Sequence, residues 1–494
     1  MAAPASEPPP TERQVCYDHL FANPRFHLAL VTLLAITLMF SQLAGNGLPN
    51  YDDCYYAQKA KEILQTGDWI TLHYNGEPRS DNPPLYMWFV AFSYKIFGIS
   101  EYAARFPSAL LGVATVVLVY FFARWLFGFW AGFFSAFVLT TTLLFVRYAR
   151  RAMVDTTLSF FVCLALFALV LALQKDRRYF LLWGASISLA VLTKSVLGLF
   201  PLVITVIYLL TAKRIKLFLN PYFLLGLLTI LLLGGSWYLH QYLTLGQQFI
   251  DVHFRWLIIQ RGFFLKPEPW YAHLSYFKQL ALHYWPWLPV LVFGMARWAR
   301  RAGRKDENTY LLVLWVGTIL LALSLQQSRI GWYMLPIFPA AAIICGATLQ
   351  ELLRERGKLI FTKTCGVLAI VAFLAINATP LQLSPPRETD VRVLAPYVKH
   401  FASRGARVTA FRQVPHRLNN VLLFYSDHAA FPIYEGYPEL AQALGEPALV
   451  LCIVDRSDLE TVVESVPGIY VLRKTDRLAL ISNQPLDTTD VRTW

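Results

Sequence analysis

Charge is scarce in this chain. Charged residues make up 15% of its 494 positions, where a soluble domain carries about 25%. That shortage excludes an ordinary soluble globular enzyme, a disordered protein and a coiled coil. Acidic residues are the rarer kind, 31 against 44 lysines and arginines, which leaves a net charge of +13. No soluble module interleaves these cations with aromatics, so nucleic acid is not an expected partner. Cysteine is also sparse. The six are scattered, with no CxxC or His-rich spacing, which argues against a zinc site or a disulfide scaffold. There is no Gly-rich phosphate loop and no repeat with a period of 20–50 residues.

What the chain has instead is apolar length. Hydrophobic residues account for 56% of it. Residues 1–24 read as a short Pro-rich cytoplasmic tail. The run Phe26–Ala44 is too long for a signal-peptide core and reads as an uncleaved first span. Further spans are expected near 103–123, 129–146, 156–173, 180–194, 197–212, 222–242, 280–297, 310–326, 332–350 and 359–378. The chain is thus predicted to be an α-helical polytopic membrane protein with about eleven transmembrane helices. The two short runs meeting at Lys194 predict a tight turn at one membrane face.

Basic residues orient the chain. Arg124; Lys175, Arg177 and Arg178; Lys213, Arg214 and Lys216; Arg297, Arg300, Arg301, Arg304 and Lys305; and Arg354, Arg356 and Lys358 occupy alternate connections. All fall on the cytoplasmic side if the N-terminus is cytoplasmic. A transmembrane domain over 25–380 then carries two large outer loops, 46–102 and 243–279. The first contains an apolar helical stretch, Leu85–Phe97. The second carries Trp256, Trp270, Tyr271 and Tyr276, suited to the membrane interface. Residues 385–494 read as a small extracytoplasmic α/β domain. Its expected strands are Arg407–Phe411, Val421–Tyr425, Leu449–Val454, Tyr470–Arg473 and Leu478–Ser482, with helices at Leu440–Leu444 and Leu459–Val466.

The residues suited to chemistry gather on the outer side of this topology. Asp52 and Asp53 follow the first span, where carboxylates serve either as reacting groups or as partners of a helix dipole. Asp155 stands between two spans beside Arg147, Arg150 and Arg151. Outer arginines run against the charge bias, so an anionic ligand or an Arg–Asp cap is expected to compensate them. Lys194, Arg329, Arg255, Arg261 and Lys266 add outer cations, each of which alone reads as a snorkelling side chain. Asp81, before Pro83-Pro84, is either an oxygen ligand for a divalent cation or a turn residue.

In order, the chain reads Asp52-Asp53-x-x-Tyr56-Ala57, Gly67-Asp68-Trp69, Asn75-Gly76, Asn82-Pro83-Pro84-Leu85, Arg105-Phe106-Pro107-Ser108, Asp155, Thr193-Lys194 and Tyr333-x-Leu335-Pro336-x-x-Pro339. This set resembles the bacterial membrane glycosyltransferases of the aminoarabinose lipid A transferase type, relatives of the protein O-mannosyltransferases, over roughly residues 25–350. The resemblance implies the GT-C fold in a bacterial inner membrane. It also implies a polyprenyl-phosphate sugar donor and a lipid, glycan or protein acceptor at the outer face. On it, Asp52 is the catalytic aspartate, Asp53 its acidic neighbour and Asp155 the second aspartate. Lys194, Arg147, Arg150, Arg151, Tyr56, Asn82, Arg329 and Tyr333 are implied to bind substrate. A divalent cation bridging Asp81 to the phosphate is the one cofactor to be considered.

The sequence departs from the family pattern at Asp53, where Glu is usual, and at Ser195-Val196, where Gly-Pro is. It departs again at Asn82, where the aminoarabinose enzymes carry a Lys suited to phosphate. A secondary transporter, with its ionisable groups near the bilayer midplane, is the alternative from another class.

Overall fold

The computed structural model describes residues 23–260, 269–302, 307–327, 329–378, 389–412, 414–428 and 432–491. The expected tail, Cys16, Arg261, Lys266, Arg304, Lys305 and the boundary at 385 lie outside the described residues.

The first helix, α1 (Pro24–Phe40), starts where the sequence provides a cap. The Asn23 side chain accepts the Arg25 N–H at 2.9 Å and Pro24 occupies the first turn. A short link leads to α2 (Asp52–Thr66), with two carboxylates in its first turn and Gly67 ending it at φ 75°, a left-handed conformation that glycine adopts freely. The link is fixed by Arg105, whose guanidinium donates to the carbonyls of Leu43, Asn46 and Gly47 at 2.7–2.8 Å. A two-stranded ribbon, β1 (His73–Tyr74) and β2 (Glu77–Pro78), follows. Next come α3 (Leu85–Phe97), which is the expected loop helix, and α4 (Glu101–Phe127).

Among the described residues, seven helical stretches are long and apolar enough to cross a membrane: 101–127, 154–174, 179–211, 221–245, 307–325, 331–352 and 355–378. An eighth is the pair α5 (Phe129–Thr140) and α6 (Leu143–Ala149), bent by 67°. The expected eleven differ from this in three ways. Helix α1 and Leu288–Trp298 are shorter apolar helices. The runs 180–194 and 197–212 join in one helical stretch, 179–211, as two helices meeting at the turn expected at Lys194. That stretch folds back at Ser195, which has φ 48°. The Trp183 indole donates to Thr205 across the fold at 3.0 Å, which aligns α8 (Tyr179–Lys194) beside Phe200–Thr211.

Close helix approach is built from small residues, as membrane packing favours. A Cβ at Gly184 would lie 2.4 Å from the Gly226 carbonyl oxygen, so those two backbones touch. Helix α7 (Val154–Gln174) packs between α4 and α8, which brings its first turn to the end of α8.

The C-terminal unit opens with Thr389–Ala402 and holds a mixed sheet of five strands in the order β4-β3-β5-β7-β6. Strands β3 (Arg407–Phe411), β4 (Ile433–Tyr434) and β5 (Val450–Asp455) are parallel. Strand β6 (Tyr470–Lys474) pairs with β7 (Leu478–Ser482), and β7 with β5, antiparallel. One expected strand is corrected. Val421–Tyr425 lies inside the helix Val414–Ser426. A short apolar run has no periodicity of its own, and this one is buried as a helix segment against Thr389–Ala402 and α2.

This unit sits on α2. The Lys61 ammonium is 2.5 Å from Asp427 and donates to the Phe424 carbonyl at 2.7 Å. The Leu48 N–H donates to the Tyr425 hydroxyl at 3.0 Å, and Tyr425 in turn donates to Glu101 at 2.9 Å.

Candidate functional site

Four element ends meet: the start of α2, the start of α7, the end of α8 and the turn Gly331–Ile337. Tyr56 stands one helical turn beyond Asp52, on the same face of α2. Its buried phenol lies within the fields of Asp52, Asp155, Tyr333 and Asp81. Burial first, and then the neighbouring carboxylates, hold it well above its usual pKa, so it stays a neutral donor. Asp155, in the first turn of α7, is almost wholly buried and ion-paired with Lys194. The Lys194 ammonium also lies 3.9 Å over the Tyr333 ring. The second Asp155 oxygen is buried with no hydrogen-bond partner among the described residues. An orphan of that kind costs about 1–3 kcal/mol and marks a position where a further donor is missing.

Asp53 is used differently. It is fully buried. Its carboxylate accepts from Arg151 Nε at 3.0 and 3.2 Å, from Arg151 Nη2 at 2.5 Å and from the Ala152 N–H at 3.1 Å. Burial opposes the Arg151 charge, but Asp53 outweighs it and holds the guanidinium above its ordinary pKa. This fork ties the start of α2 to the segment just ahead of Asp155, and so sets the distance between the two acidic elements.

Asp81 does not have the surroundings of a metal ligand. The Lys59 ammonium lies 2.5 Å from one oxygen and the Tyr55 hydroxyl donates to the other at 2.9 Å. The burial that would raise the Asp81 pKa is overcome by Lys59 and Tyr55, which lower it. A divalent cation would have to displace an ammonium, and no group of three His, Cys, Asp or Glu side chains suited to a metal occurs among the described residues. The same contact bears on Asn82. Lys59 donates to Asn82 Oδ1 at 3.0 Å, so a lysine from α2 brings its charge to the place where the resemblance expects a lysine in the loop.

Of the other expected residues, Arg150 is buried and donates to the Leu38 and Ser41 carbonyls at 2.8 Å, closing the end of α1. Arg147 is exposed in the last turn of α6. The cation paired with Asp155 is Lys194. Arg329 Nη2 lies 3.2 Å from His273 Nδ1. The neighbouring Tyr276 hydroxyl donates to the Ile330 carbonyl at 3.2 Å, beside the segment that carries Arg329. Arg255 pairs with Asp251 at 2.9 Å on an exposed helix face.

His253 was not singled out by the sequence, although it is one histidine in an aromatic-rich loop. It is fully buried. Its Nδ1 lies 2.8 Å from the Ser80 carbonyl, so Nδ1 carries the proton and Nε2 accepts from the Ser195 hydroxyl at 2.9 Å. The loop beside Asp81 and the turn after Lys194 are thereby joined through one ring. Burial lowers the His253 pKa from about 6.5, with the Ser80 contact opposing. A depressed value means the unfolded chain takes up the proton first as pH falls. Its stabilising share is therefore complete above pH 6.5 and is lost as pH drops through the folded value. The melting temperature of the wild type should fall below pH 6.5, and His253→Gln should flatten that dependence. Parallel melting curves of the two would refute the assignment.

Residues 81–238 match the family model described as dolichyl-phosphate-mannose-protein mannosyltransferase. The chain is 33% identical over 366 residues to an uncharacterized protein of Aquifex aeolicus, covering 72% of each. It is 28% identical over 373 residues to undecaprenyl phosphate-alpha-4-amino-4-deoxy-L-arabinose arabinosyl transferase 1 of Pseudomonas fluorescens, covering 71% of this chain but 64% of that protein's length. Among solved structures, ArnT from Cupriavidus metallidurans bound to undecaprenyl phosphate superposes with a TM-score of 0.77 at 17% identity, covering 92% of this chain and 98% of that one. The archaeal oligosaccharyltransferase from Archaeoglobus fulgidus in the apo form gives 0.60 at 12% identity, covering 95% and 75%. These two show a shared fold.

Proposed function

The chain belongs to the GT-C membrane glycosyltransferases of the aminoarabinose transferase and protein mannosyltransferase type, and from that premise we propose that it moves a sugar from a polyprenyl-phosphate donor to a lipid or glycan hydroxyl at the outer face of a bacterial inner membrane. The observation that carries this reading is the convergence of Asp52, Asp155, Lys194 and Tyr333 around the Tyr56 phenol.

The donor's anomeric carbon already bears a phosphate leaving group. Transfer forms a bond from the acceptor oxygen to that carbon and breaks the bond from the carbon to the phosphate oxygen. The electron pair leaves with the polyprenyl phosphate. Attack opposite the leaving group inverts the anomeric centre. Lys194, held in place by Asp155, meets the phosphate charge as it develops. Asp52 accepts the acceptor's proton. Tyr56 stays protonated and donates to the phosphate or the sugar. Asp53 and Lys59 touch no reacting atom in this scheme and position those that do.

The test offers radiolabelled undecaprenyl-phosphate sugars to the purified protein in lipid, with a bacterial envelope lipid extract as acceptor. Label is expected to move to a lipid or glycan product with release of undecaprenyl phosphate. Label appearing only on protein would favour the mannosyltransferase branch. Labelled donor crossing intact would favour transport.

A further inference from the structure

Ser195 stands where the family usually has Gly, and the transfer scheme gives it no task. Its backbone shows why Gly suits the position. Ser195 ends α8 at φ 48°, a left-handed conformation that glycine takes freely and other residues take only at a cost. A serine that carries this strain brings a hydroxyl, which glycine lacks.

That hydroxyl is engaged. It donates to His253 Nε2 at 2.9 Å, and His253 Nδ1 donates to the Ser80 carbonyl at 2.8 Å, so both ring nitrogens are used. The imidazole has little room to move. It is fully buried among Trp237, Tyr238, Phe249 and Phe254, whose ring centres lie 5.2–5.7 Å away. Trp237 is pinned in turn, because its indole donates to the Ile70 carbonyl at 3.0 Å. A fixed ring thus grips a strained turn.

The turn presents Lys194. Its ammonium pairs with Asp155 and lies 3.9 Å over the Tyr333 ring. Those contacts hold the far end of a flexible stem, not the backbone it grows from. The backbone is held by the Ser195 N–H, which donates to the Val191 carbonyl, and by the hydroxyl's contact with His253. Electrostatic stabilisation of a leaving phosphate depends on a cation already in place, and a misplacement of about 1 Å is costly.

We infer that Ser195 and His253 are a positioning pair for sugar transfer: the imidazole fixes the turn after α8, and the turn sets where the Lys194 ammonium meets the donor phosphate. Neither residue touches a reacting atom. The inference rests on the transfer reading above, in which Lys194 is the partner of that phosphate.

The test measures equilibrium binding of undecaprenyl phosphate to the full-length protein in phosphatidylcholine nanodiscs, so no sugar has to move. Ser195→Gly removes the hydroxyl and also relieves the strained backbone. Its melting temperature is expected to stay near that of the wild type, while binding weakens about tenfold. His253→Phe keeps a ring among the aromatics and loses both nitrogens, and a similar loss is expected. The double variant should bind no worse than the weaker single variant, because the two residues act through one contact. Lys194→Gln supplies the decisive background. There, Ser195→Gly should alter binding by less than about twofold, since no ammonium remains to be placed. Wild-type affinity in Ser195→Gly overturns the pairing, and so does a tenfold loss that persists in the Lys194→Gln background. A wild type that binds no undecaprenyl phosphate at all would instead remove the transfer reading beneath it.

Discussion

Asp52→Asn is expected to lower the turnover of labelled donor by about 10²–10⁴-fold, the range carried by a positioned general base. The change keeps the shape of the side chain and its place in the first helical turn, so insertion and melting temperature should stay near those of the wild type. Two readouts separate a chemical role from a structural one. First, kcat should fall far more than KM rises, since proton acceptance belongs to the transition state. Second, binding of undecaprenyl phosphate should persist, because Lys194 and Asp155 are untouched. An Asp52→Asn protein that turns over at the wild-type rate would remove this residue from the mechanism, and with it the proton acceptance proposed above.

The adjacent acid should behave in the opposite way. Asp53→Asn removes the carboxylate that accepts three contacts from Arg151 and one from the Ala152 N–H. It leaves a largely buried guanidinium without its counter-charge. Breaking one side of a buried pair costs about 3–5 kcal/mol. The expected result is a steep fall in melting temperature and in recovered protein, with transfer failing because α2 has lost its anchor. Arg151→Met alone should be comparably damaging. The double replacement should recover part of the loss, since it leaves neither charge stranded. Equal stability in wild type and Asp53→Asn would contradict the geometry. With Asp52→Asn stable but slow and Asp53→Asn unstable, two neighbouring aspartates, alike in sequence, would differ in kind: one governs the rate and the other governs whether the site exists.

How far the sequence foretold this arrangement depends on the range of the forces involved. The Asp155–Lys194 encounter was legible because each residue ends an apolar run and the runs are neighbours in the chain. The fold-back at Lys194 was legible for the same reason. The C-terminal strands with clear alternation emerged at or near their expected places. Val421–Tyr425 did not, because five apolar residues fit a buried helix as well as a strand, and only their burial against α2 decides. Lys59 escaped notice because nothing local explains a fully buried lysine. Its partners Asp81 and Asn82 arrive from a loop more than twenty residues later. His253 escaped because its two partners lie in the first loop and after Lys194, and histidine carries no periodic signal. Asp81 reads in sequence as either a cation ligand or a turn residue, and the Lys59 ammonium that meets it comes from another element, so local sequence could not show it.

The Lys61 ammonium, enclosed by Asp427 and the Phe424 carbonyl, has a consequence for any attempt to dissect or recombine this chain. A truncation just before the sheet unit would strand that charge on the flank of the helix that carries Asp52. A chimera with a foreign tail would do the same unless the tail brought its own acceptors to that spot. The tail therefore cannot be exchanged as an independent module: its fit to one lysine helps to keep Asp52 in register.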